Sequence, residues 1–347
     1  MQAARLYGAG DVRTGECSIP EIGDDEILLK ISAAAICGTD LRMIANGYRG
    51  VDADHPLTLG HEISGVIAKA GKNVRGYAEG MRAALAPNMG CGICDHCVSG
   101  DTHLCESYTA FGINMDGGFA GYVRIPAAAV IQGNVMVLDD SVSLDAAALF
   151  EPMSCVFNGQ EQARIRLNDD VLIIGAGPIG IMHALLAKAK GARRIFIRDI
   201  SAPRMRQCTE LVEGTVMVES EDLEEAVKSL NGGRLVDVCI TACPSAAAQA
   251  DALKVTGMNG RILFFGGLPA EKDGVVLTTN LIHYRQLSIH GSTRANVRHY
   301  REVATMVMAG HLELEKLVSR KYPLKDFADA VAYAKKAEGL KTIITPG

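Results

Sequence analysis

The sequence has no clean membrane-length apolar run, no excess of positive charge and no internal repeat. Its longest apolar stretch, residues 171–187, is interrupted by glycines, a proline and a histidine, so it falls short of the ~20 apolar residues that a membrane helix needs. The 35 Lys and Arg against 40 Asp and Glu give a formal charge of 35 − 40 = −5, which creates no field to attract a nucleic acid. We therefore expect neither a membrane span nor a nucleic-acid partner.

The first residues also lack a secretory signal, which would be an apolar segment followed by a small-residue cleavage site. We therefore expect a cytoplasmic protein, whose ten cysteines remain thiols or thiolates because a reducing compartment disfavours disulfides. The 347 residues, 48% of them apolar, suffice for roughly two domains with a sizeable core. Many reduced cysteines in such a protein direct attention to metal binding.

The pattern of predicted elements changes along the chain. Up to about residue 145, short β-type runs alternate with clusters of Gly, Asn and Asp, which predicts a mostly β half. From Val171 onwards, apolar runs alternate with helix-length segments, which predicts βαβ units around a parallel sheet. After about residue 285 the alternation stops, and two helix-like segments lead to a short apolar end at 342–345.

Four cysteines lie close together in a loop rich in glycine and aspartate: Cys91, Cys94, Cys97 and Cys105. Four soft thiolate ligands suit a closed tetrahedral zinc site, in which no position remains for a substrate, so its role would be structural. An iron–sulfur cluster, disulfides or free thiols are the alternatives, although the Cys-Pro ending of bacterial ferredoxins is absent. His96 or His103, inside the same loop, is an alternative ligand in place of one cysteine.

A second group of metal-ligand types includes Cys37, His61, Glu62 and Glu151. Cys37, His61 and one of the two glutamates would give three protein ligands and leave one position for a substrate oxygen, as a catalytic zinc site requires. Taken singly, each residue has a simpler interpretation. Cys37 also fits a buried core thiol, and Glu151 fits a solvated acid at a helix start.

The apolar run from residue 171 ends in a G-x-G-x-x-G turn over residues 175–180, before a helix-like segment. This context indicates a dinucleotide site, in which the glycines permit a tight turn and close approach to the pyrophosphate. A lone motif of this kind also occurs as a simple tight turn. Asp199 follows the last glycine by 199 − 180 = 19 residues, where a carboxylate can hold a ribose 2′-hydroxyl. Asp199 therefore favours NAD over NADP as the cofactor. Two basic side chains weaken this preference, because either could instead pair with a phosphate: Arg198 and Arg204.

Together and in this order, these features resemble the zinc-dependent medium-chain dehydrogenase/reductase family over essentially the whole chain. The string from Gly60 to Val74 fits the family's GHE-x2-G-x5-G-x2-V zinc signature. The Cys-Gly-Thr-Asp segment at 37–40 and the Glu-Pro-Met-Ser-Cys segment at 151–155 are similar to the polyol branch, which includes sorbitol and threonine dehydrogenases.

The resemblance implies an α/β fold with two domains. Residues 1–150 and 286–347 would form a GroES-like β-rich catalytic domain, with a structural zinc lobe at about 88–107. Residues 151–285 would form a Rossmann NAD-binding domain, a doubly wound parallel sheet. A homo-oligomer, either a dimer or a tetramer, is expected from the resemblance alone.

The resemblance also implies a site and a reaction. Two zinc ions per chain are expected, one held by the four-cysteine set and one catalytic, with Glu62 as its third ligand and Glu151 as a nearby carboxylate that ligates, orders water or exchanges with substrate. The catalytic zinc would polarise a secondary alcohol whose hydride passes to NAD, with NADP the less expected cofactor. The implied catalytic residues are Cys37, Thr39, His61, Glu62 and Glu151. The implied cofactor-binding residues are Gly175, Gly177, Pro178, Ile179, Gly180, Asp199 and Arg204.

Thr39 matches the family's proton-relay hydroxyl, although a local turn-forming side chain is the alternative. Arg42 stands where many relatives carry a relay histidine, and an arginine cannot act as a base because it stays protonated. We hypothesise that Arg42, together with Arg294, receives a carboxylate or phosphate on the substrate. The alternative is that both arginines lie in solvent or bind a cofactor phosphate.

The leading functional hypothesis is oxidation of a polyol or a related sugar derivative, which is a small-molecule alcohol. The same fold would also suit threonine, a vicinal diol, a sugar-alcohol phosphate or a sugar acid. Two alternatives are not enzymes: a nucleic-acid-binding zinc ribbon, and a metal-binding structural or interaction protein. The first is opposed by the absence of Lys and Arg between Asn88 and Arg124, and the second by the retained ligand types at Cys37, His61 and Glu62.

Overall fold

The computed structural model describes residues 1–269, 271 and 273–346, so residues 270, 272 and 347 of the predicted domain ranges lie outside the described residues. The chain divides into two compact units. The first comprises Met1–Ser154 with the described part of Arg294–Gly347, and the second is Cys155–Thr293. Among the described residues, none of the helices combines the length and apolar character required to cross a bilayer.

Short strands dominate the N-terminal part of the first unit, and the last helix of this stretch continues into the second unit. The elements in chain order are β1 (Gln2–Gly8), β2 (Asp11–Glu16), β3 (Ile27–Ala35), α1 (Gly38–Asn46), β4 (Leu57–Thr58), β5 (Glu62–Ala70), β6 (Arg82–Leu85), β7 (Asn88–Met89), α2 (Asp95–Val98), β8 (Thr109–Ala110), β9 (Tyr122–Ile125), α3 (Ala127–Gln132), β10 (Val135–Val137), α4 (Leu144–Ala148) and α5 (Phe150–Gln162).

Strands and helices alternate in the second unit, after which the chain returns to the first. The second unit contains β11 (Asp170–Ile174), α6 (Pro178–Ala189), β12 (Arg194–Arg198), α7 (Ala202–Leu211), β13 (Thr215–Met217), α8 (Leu223–Leu230), β14 (Val236–Thr241), α9 (Ala246–Val255), β15 (Thr256–Phe264), α10 (Thr279–Arg285) and β16 (Ser288–Gly291). The returning segment contains α11 (Val297–Met308), β17 (Val318–Pro323), α12 (Phe327–Lys336) and β18 (Lys341–Thr345).

The second unit is built on a parallel sheet. Within the described residues its six strands follow the order β13-β12-β11-β14-β15-β16, which is the doubly wound arrangement that the sequence predicted. Every residue of β11 is buried, because helices cover both faces of a parallel sheet. The predicted boundary at residue 285 falls before β16, which pairs with β15 and contains Ser-Ile-His-Gly, too weak an apolar pattern to indicate a strand.

The largest sheet of the first unit has, in the described chain, the strand order β10-β6-β5-β3-β18-β17, and β9 also pairs with β3. β3 runs antiparallel to β5, with Ala35 opposite Glu62. β18 runs antiparallel to β3 on the other side, with Ile343 opposite Ala35. This register places the end of β3, the start of β5 and the start of β18 side by side, although they are far apart in sequence.

Candidate active site

Three side chains with metal-ligand atoms meet at this junction. Cys37 follows the end of β3 as the N-cap of α1, and His61 and Glu62 begin β5. Their ligand atoms all lie within 4.8 Å of one another. His61 and Glu62 are buried, whereas Cys37 is half-buried and accessible from outside. The predicted ligands Cys37, His61 and Glu62 are therefore brought together, and Glu151 lies outside this group of three.

Asp40 supports this group from the first turn of α1. Its carboxylate accepts hydrogen bonds from the backbone N–H of Cys37, at 2.8 Å, and of Gly60, at 3.3 Å. Asp40 Oδ1 lies 3.4 Å from His61 Nδ1. Burial lowers the pKa of His61, but the charges of Asp40 and Cys37 raise it by more, so that the pKa lies well above its ordinary value. This contact is a charge interaction, because His61 Nδ1 has no hydrogen-bond partner among the described residues.

Lys341 supports Glu62 from β18. Its ammonium group donates hydrogen bonds to Glu62 Oε1, at 2.6 Å, and to the carbonyl oxygen of Ile36, at 3.0 Å. Both members of this ion pair are buried. Burial raises the pKa of Glu62 to about 7 against the opposing charge of Lys341. Burial also lowers the pKa of Lys341, but the charges of Glu62 and Cys37 raise it by more, so that this amine stays protonated.

This set of residues fits a zinc ion. A thiol, an imidazole and a carboxylate are the ligand types that zinc prefers in catalytic sites. Glu62 Oε2 is buried and has no hydrogen-bond partner in the part of the chain that the structure describes. A buried carboxylate oxygen without a partner is costly, and a cation between Glu62, His61 and Cys37 would satisfy it.

Glu151 and Tyr300 lie near this group. Glu151 is buried in the first turn of α5, close enough for its charge to raise the pKa of Glu62. The hydroxyl of Tyr300, on α11, is buried without a hydrogen-bond partner among the described residues. Burial and the charges of Glu151 and Glu62 raise the pKa of Tyr300 well above its ordinary value. Tyr300 is therefore a neutral hydroxyl beside two buried carboxyl groups.

Thr39 and Arg42 lie one helical turn apart on α1. An Nη of Arg42 donates a hydrogen bond of 2.9 Å to Thr39 Oγ1, so the relay hydroxyl proposed from the sequence has a cationic donor. Arg294 makes different contacts. It donates to the carbonyl oxygen of His103 at 2.9 Å, and its guanidinium lies 3.7 Å from the ring centre of Tyr108.

The four-cysteine loop forms a second group of ligand atoms. The sulfur atoms of Cys91, Cys94, Cys97 and Cys105 all lie within 4.8 Å of one another. None of the ten cysteines forms a disulfide, and all ten lie within the described residues. Hydrogen bonds from the backbone N–H groups of Ile93 and Cys94 lower the pKa of Cys91 to about 6. A loop that stabilises a thiolate and gathers four sulfurs fits a closed zinc site.

The histidines of this loop lie outside the group of four sulfurs. His96 is exposed. His103 is buried, with its ring 5.6 Å from that of His299, and burial lowers its pKa. The loop is also tied to the returning segment, because the Asn296 side chain donates to the carbonyl oxygen of Gly100 at 3.0 Å. Four cysteines alone therefore supply a complete set of ligands here.

The glycine turn of the second unit has the geometry that a dinucleotide site requires. Gly175 has φ +114°, a region that favours glycine, and a Cβ at Gly180 would overlap the carbonyl oxygen of Gly175. Gly177 is different, because a Cβ there would meet no atom of the described residues within 4 Å. Gly177 is also the N-cap of α6, and it has no side chain that could bond to the first N–H groups of the helix. Pro178 and Ile179 are the first two residues of this helix. Its first N–H groups are therefore available to an anion.

Asp199 lies directly beside this turn. Its carboxylate accepts hydrogen bonds from the backbone N–H of Ala176, at 2.7 Å, and of Ser201, at 2.8 Å. Arg198 donates instead to the carbonyl oxygen of Val218 at 3.3 Å. Arg204 is half-buried in the first turn of α7. Asp199 is therefore held at the turn by two amides, with its charge next to the predicted pyrophosphate site.

Comparisons with known proteins agree with this geometry. Residues 23–135 match the family model of the alcohol dehydrogenase GroES-like domain, and residues 178–309 match that of the zinc-binding dehydrogenase. The chain is 33% identical to a sorbitol dehydrogenase of Bombyx mori, over 99% of this chain and 97% of that protein. The chain belongs to the zinc-dependent medium-chain dehydrogenase/reductase family. The prediction of the family, including its polyol branch, is confirmed.

Two further similar proteins have names that state a different substrate or a bound cofactor. An L-galactonate-5-dehydrogenase of Escherichia coli (strain K12) is 30% identical, over 90% of this chain and 88% of that protein. The structure of a zinc-binding dehydrogenase from Sinorhizobium meliloti 1021 bound to NADP is 29% identical, with a TM-score of 0.89 over 99% of each chain. The predicted GroES-like and Rossmann fold class is confirmed, and the chain is an oxidoreductase of the alcohol dehydrogenase type.

Three side chains around the candidate metal site were not predicted from the sequence: Asp40, Tyr300 and Lys341. Asp40 had a local signal, because an acid three residues after an N-cap often returns to the cap backbone, as it does to Cys37. Lys341 and Tyr300 had none. Each is separated from Glu62 by more than 200 residues, and only the sheet register and the position of α11 bring them to the site.

Proposed function

We propose that this protein is a zinc-dependent dehydrogenase that transfers a hydride from a secondary alcohol of a polyol or a related sugar derivative to NAD. The observation that supports this most is the group formed by Cys37, His61 and Glu62, because three protein ligands leave a coordination position for a substrate. Cys37, His61 and Glu62 would hold the catalytic zinc, and the four-cysteine loop would hold a structural one. The oligomeric state and the cytoplasmic location stay predictions from the sequence.

When bound, zinc supplies Lewis acidity towards the alcohol oxygen and NAD accepts the hydride. The protein's own residues orient the ligands and carry the proton. Asp40 places its charge beside His61 Nδ1, and Lys341 binds Glu62 Oε1, which leaves the buried Oε2 without a protein partner among the described residues. Thr39 Oγ1 receives the alcohol's proton and passes its own to water, because Arg42 stays protonated and cannot accept one.

The substrate class is tested by following NADH formation with neutral alditols, aldonates, alditol phosphates, vicinal diols and L-threonine, before and after treatment with a chelator. We expect turnover with at least one of these classes, a loss of about 100-fold or more after chelation, and recovery when zinc is added back. The proposal fails if none of the classes reduces NAD or NADP with metal-loaded protein. It also fails if activity persists after zinc has been removed from both sites.

Asp199 is expected to set the preference for NAD, because its carboxylate can accept a hydrogen bond from the ribose 2′-hydroxyl and repels a 2′-phosphate. Replacing it by asparagine removes the charge and leaves one acceptor oxygen, so only one of the N–H groups of Ala176 and Ser201 keeps its acceptor. We expect Asp199→Asn to lower the ratio of kcat/KM with NAD to that with NADP by about tenfold. The matched control is Asp251→Asn on α9, whose carboxylate pairs with Lys254. An unchanged ratio in Asp199→Asn, equal to that of the control, would contradict this role.

A further inference from the structure

Arg42 places a permanent positive charge on the helix that Cys37 caps, and this charge is hydrogen-bonded to Thr39, two residues after Cys37. This helix is α1, and Arg42 is exposed on it. Its side chain does not extend freely into solvent. The 2.9 Å hydrogen bond to Thr39 Oγ1 directs the guanidinium back towards the N-terminal turn, where Cys37 and Thr39 lie.

Within the described part of the chain, this charge has no acidic partner. Among residues 1–269, 271 and 273–346, the hydrogen bond to Thr39 is the polar contact of the Arg42 guanidinium. The nearest carboxylate in sequence, Asp40, is buried and directed the other way, where it accepts from the N–H groups of Cys37 and Gly60. Other arginines are paired, as in the contacts of Arg193 with Asp170 and of Arg261 with Asp169.

The geometry also separates Arg42 from Arg294, which the sequence analysis grouped together. Arg294 donates to the carbonyl oxygen of His103 and stacks on Tyr108, so its guanidinium is engaged by the four-cysteine loop. Arg42 uses one Nη for Thr39. The other N–H groups of the planar guanidinium remain available to a ligand. Their paired arrangement matches the two oxygens of a carboxylate or a phosphate.

We propose that Arg42 binds an anionic group on the substrate, so that the preferred substrate is a hydroxylated chain that ends in a carboxylate or phosphate rather than a neutral polyol. This inference rests on the proposed dehydrogenase function. The reacting hydroxyl would lie at the zinc site beside Thr39, and the anionic group would be held by the same turn of α1. Arg42 would therefore act in substrate recognition, and the proton would leave through Thr39.

The test compares kcat and KM for a hexitol, the corresponding hexonate and the corresponding hexitol phosphate. The proteins are the zinc-loaded wild type, Arg42→Ala, Arg42→Lys and the control Arg75→Ala. Arg75 is an exposed arginine of the same unit, whose side chain donates to the carbonyl oxygen of Lys72. Comparing the hexonate with the hexitol phosphate identifies which anionic group is preferred.

For the wild type we expect a higher kcat/KM with one anionic compound than with the hexitol. In Arg42→Ala the ratio of anionic to neutral kcat/KM should fall by about 10- to 100-fold, mainly through a higher KM. Arg42→Lys should recover part of the ratio, since it keeps the charge but loses the fork. Arg75→Ala should leave the ratio unchanged.

Equal losses with the neutral and anionic compounds, or a wild-type preference for the hexitol, would overturn the inference but leave the proposed dehydrogenase intact. No turnover with any compound would instead remove the proposed function.

Discussion

Cys37→Ser is expected to lower kcat/KM for alcohol oxidation on the order of 10³-fold while NAD binds with nearly unchanged affinity. A serine hydroxyl is a much poorer zinc ligand than a thiolate, so the open site would lose its metal and its Lewis acidity. The predicted dinucleotide-binding residues belong to the second unit, whereas Cys37 lies in the first. Steady-state kinetics and a titration with NAD measure the two effects separately.

Cys17→Ser is the matched control for this substitution. Cys17 is a free, half-buried cysteine of the first unit and is not part of either group of metal-ligand types. We expect Cys17→Ser to keep wild-type kinetics. Wild-type turnover in Cys37→Ser would rule out the assigned site, and a parallel loss of NAD binding would indicate general damage to the fold.

Lys341→Met is expected to destabilise the protein by about 3–5 kcal/mol at a pH of about 9, above the pKa of about 7 that Glu62 has beside Lys341, where its carboxylate is ionised in the parent protein. The substitution preserves most of the side-chain volume but leaves Glu62 buried beside Glu151 without its ammonium partner. Lys341 also donates to the carbonyl oxygen of Ile36, which would lose that hydrogen bond. The free energy of unfolding is measured by urea denaturation of the chelated protein, so that zinc at Glu62 does not contribute.

Two comparisons separate the loss of the ammonium partner of Glu62 from a general packing defect. Lys72→Met removes the ammonium from an exposed ion pair with Asp24 at 2.8 Å, and we expect a cost below about 1 kcal/mol. The double variant Lys341→Met/Glu62→Gln removes the uncompensated charge and should recover most of the lost stability. If the double variant is as unstable as Lys341→Met alone, the charge of Glu62 is not the cause.

Features with a local spacing were predicted well from the sequence. The helix-like segment at 179–190 corresponds to α6 (Pro178–Ala189), and the apolar run at 195–197 lies within β12 (Arg194–Arg198). The four-cysteine spacing predicted a group of sulfurs that the structure brings within 4.8 Å. In each case the residues that must meet are close in sequence, so periodicity or spacing carries the information.

Features that depend on the fold were not predictable in this way. The choice between Glu62 and Glu151 as third ligand is open from the sequence alone, because their positions depend on the register of β3 with β5 and on the start of α5. The Lys341–Glu62 pair needs β18 to join the sheet beside β3. The hydrogen bond from Arg42 to Thr39 is local, yet the direction of an exposed arginine side chain has no signature in the sequence.

The zinc content of the purified wild-type protein and of Cys37→Ser, measured side by side, tests the central claim most directly. Two independent sites predict about two zinc ions per wild-type chain and about one in the variant, which would retain the ion of the four-cysteine loop. A variant that keeps both ions, or a fully active wild-type protein with only the ion of the loop, would contradict a catalytic zinc held by Cys37, His61 and Glu62.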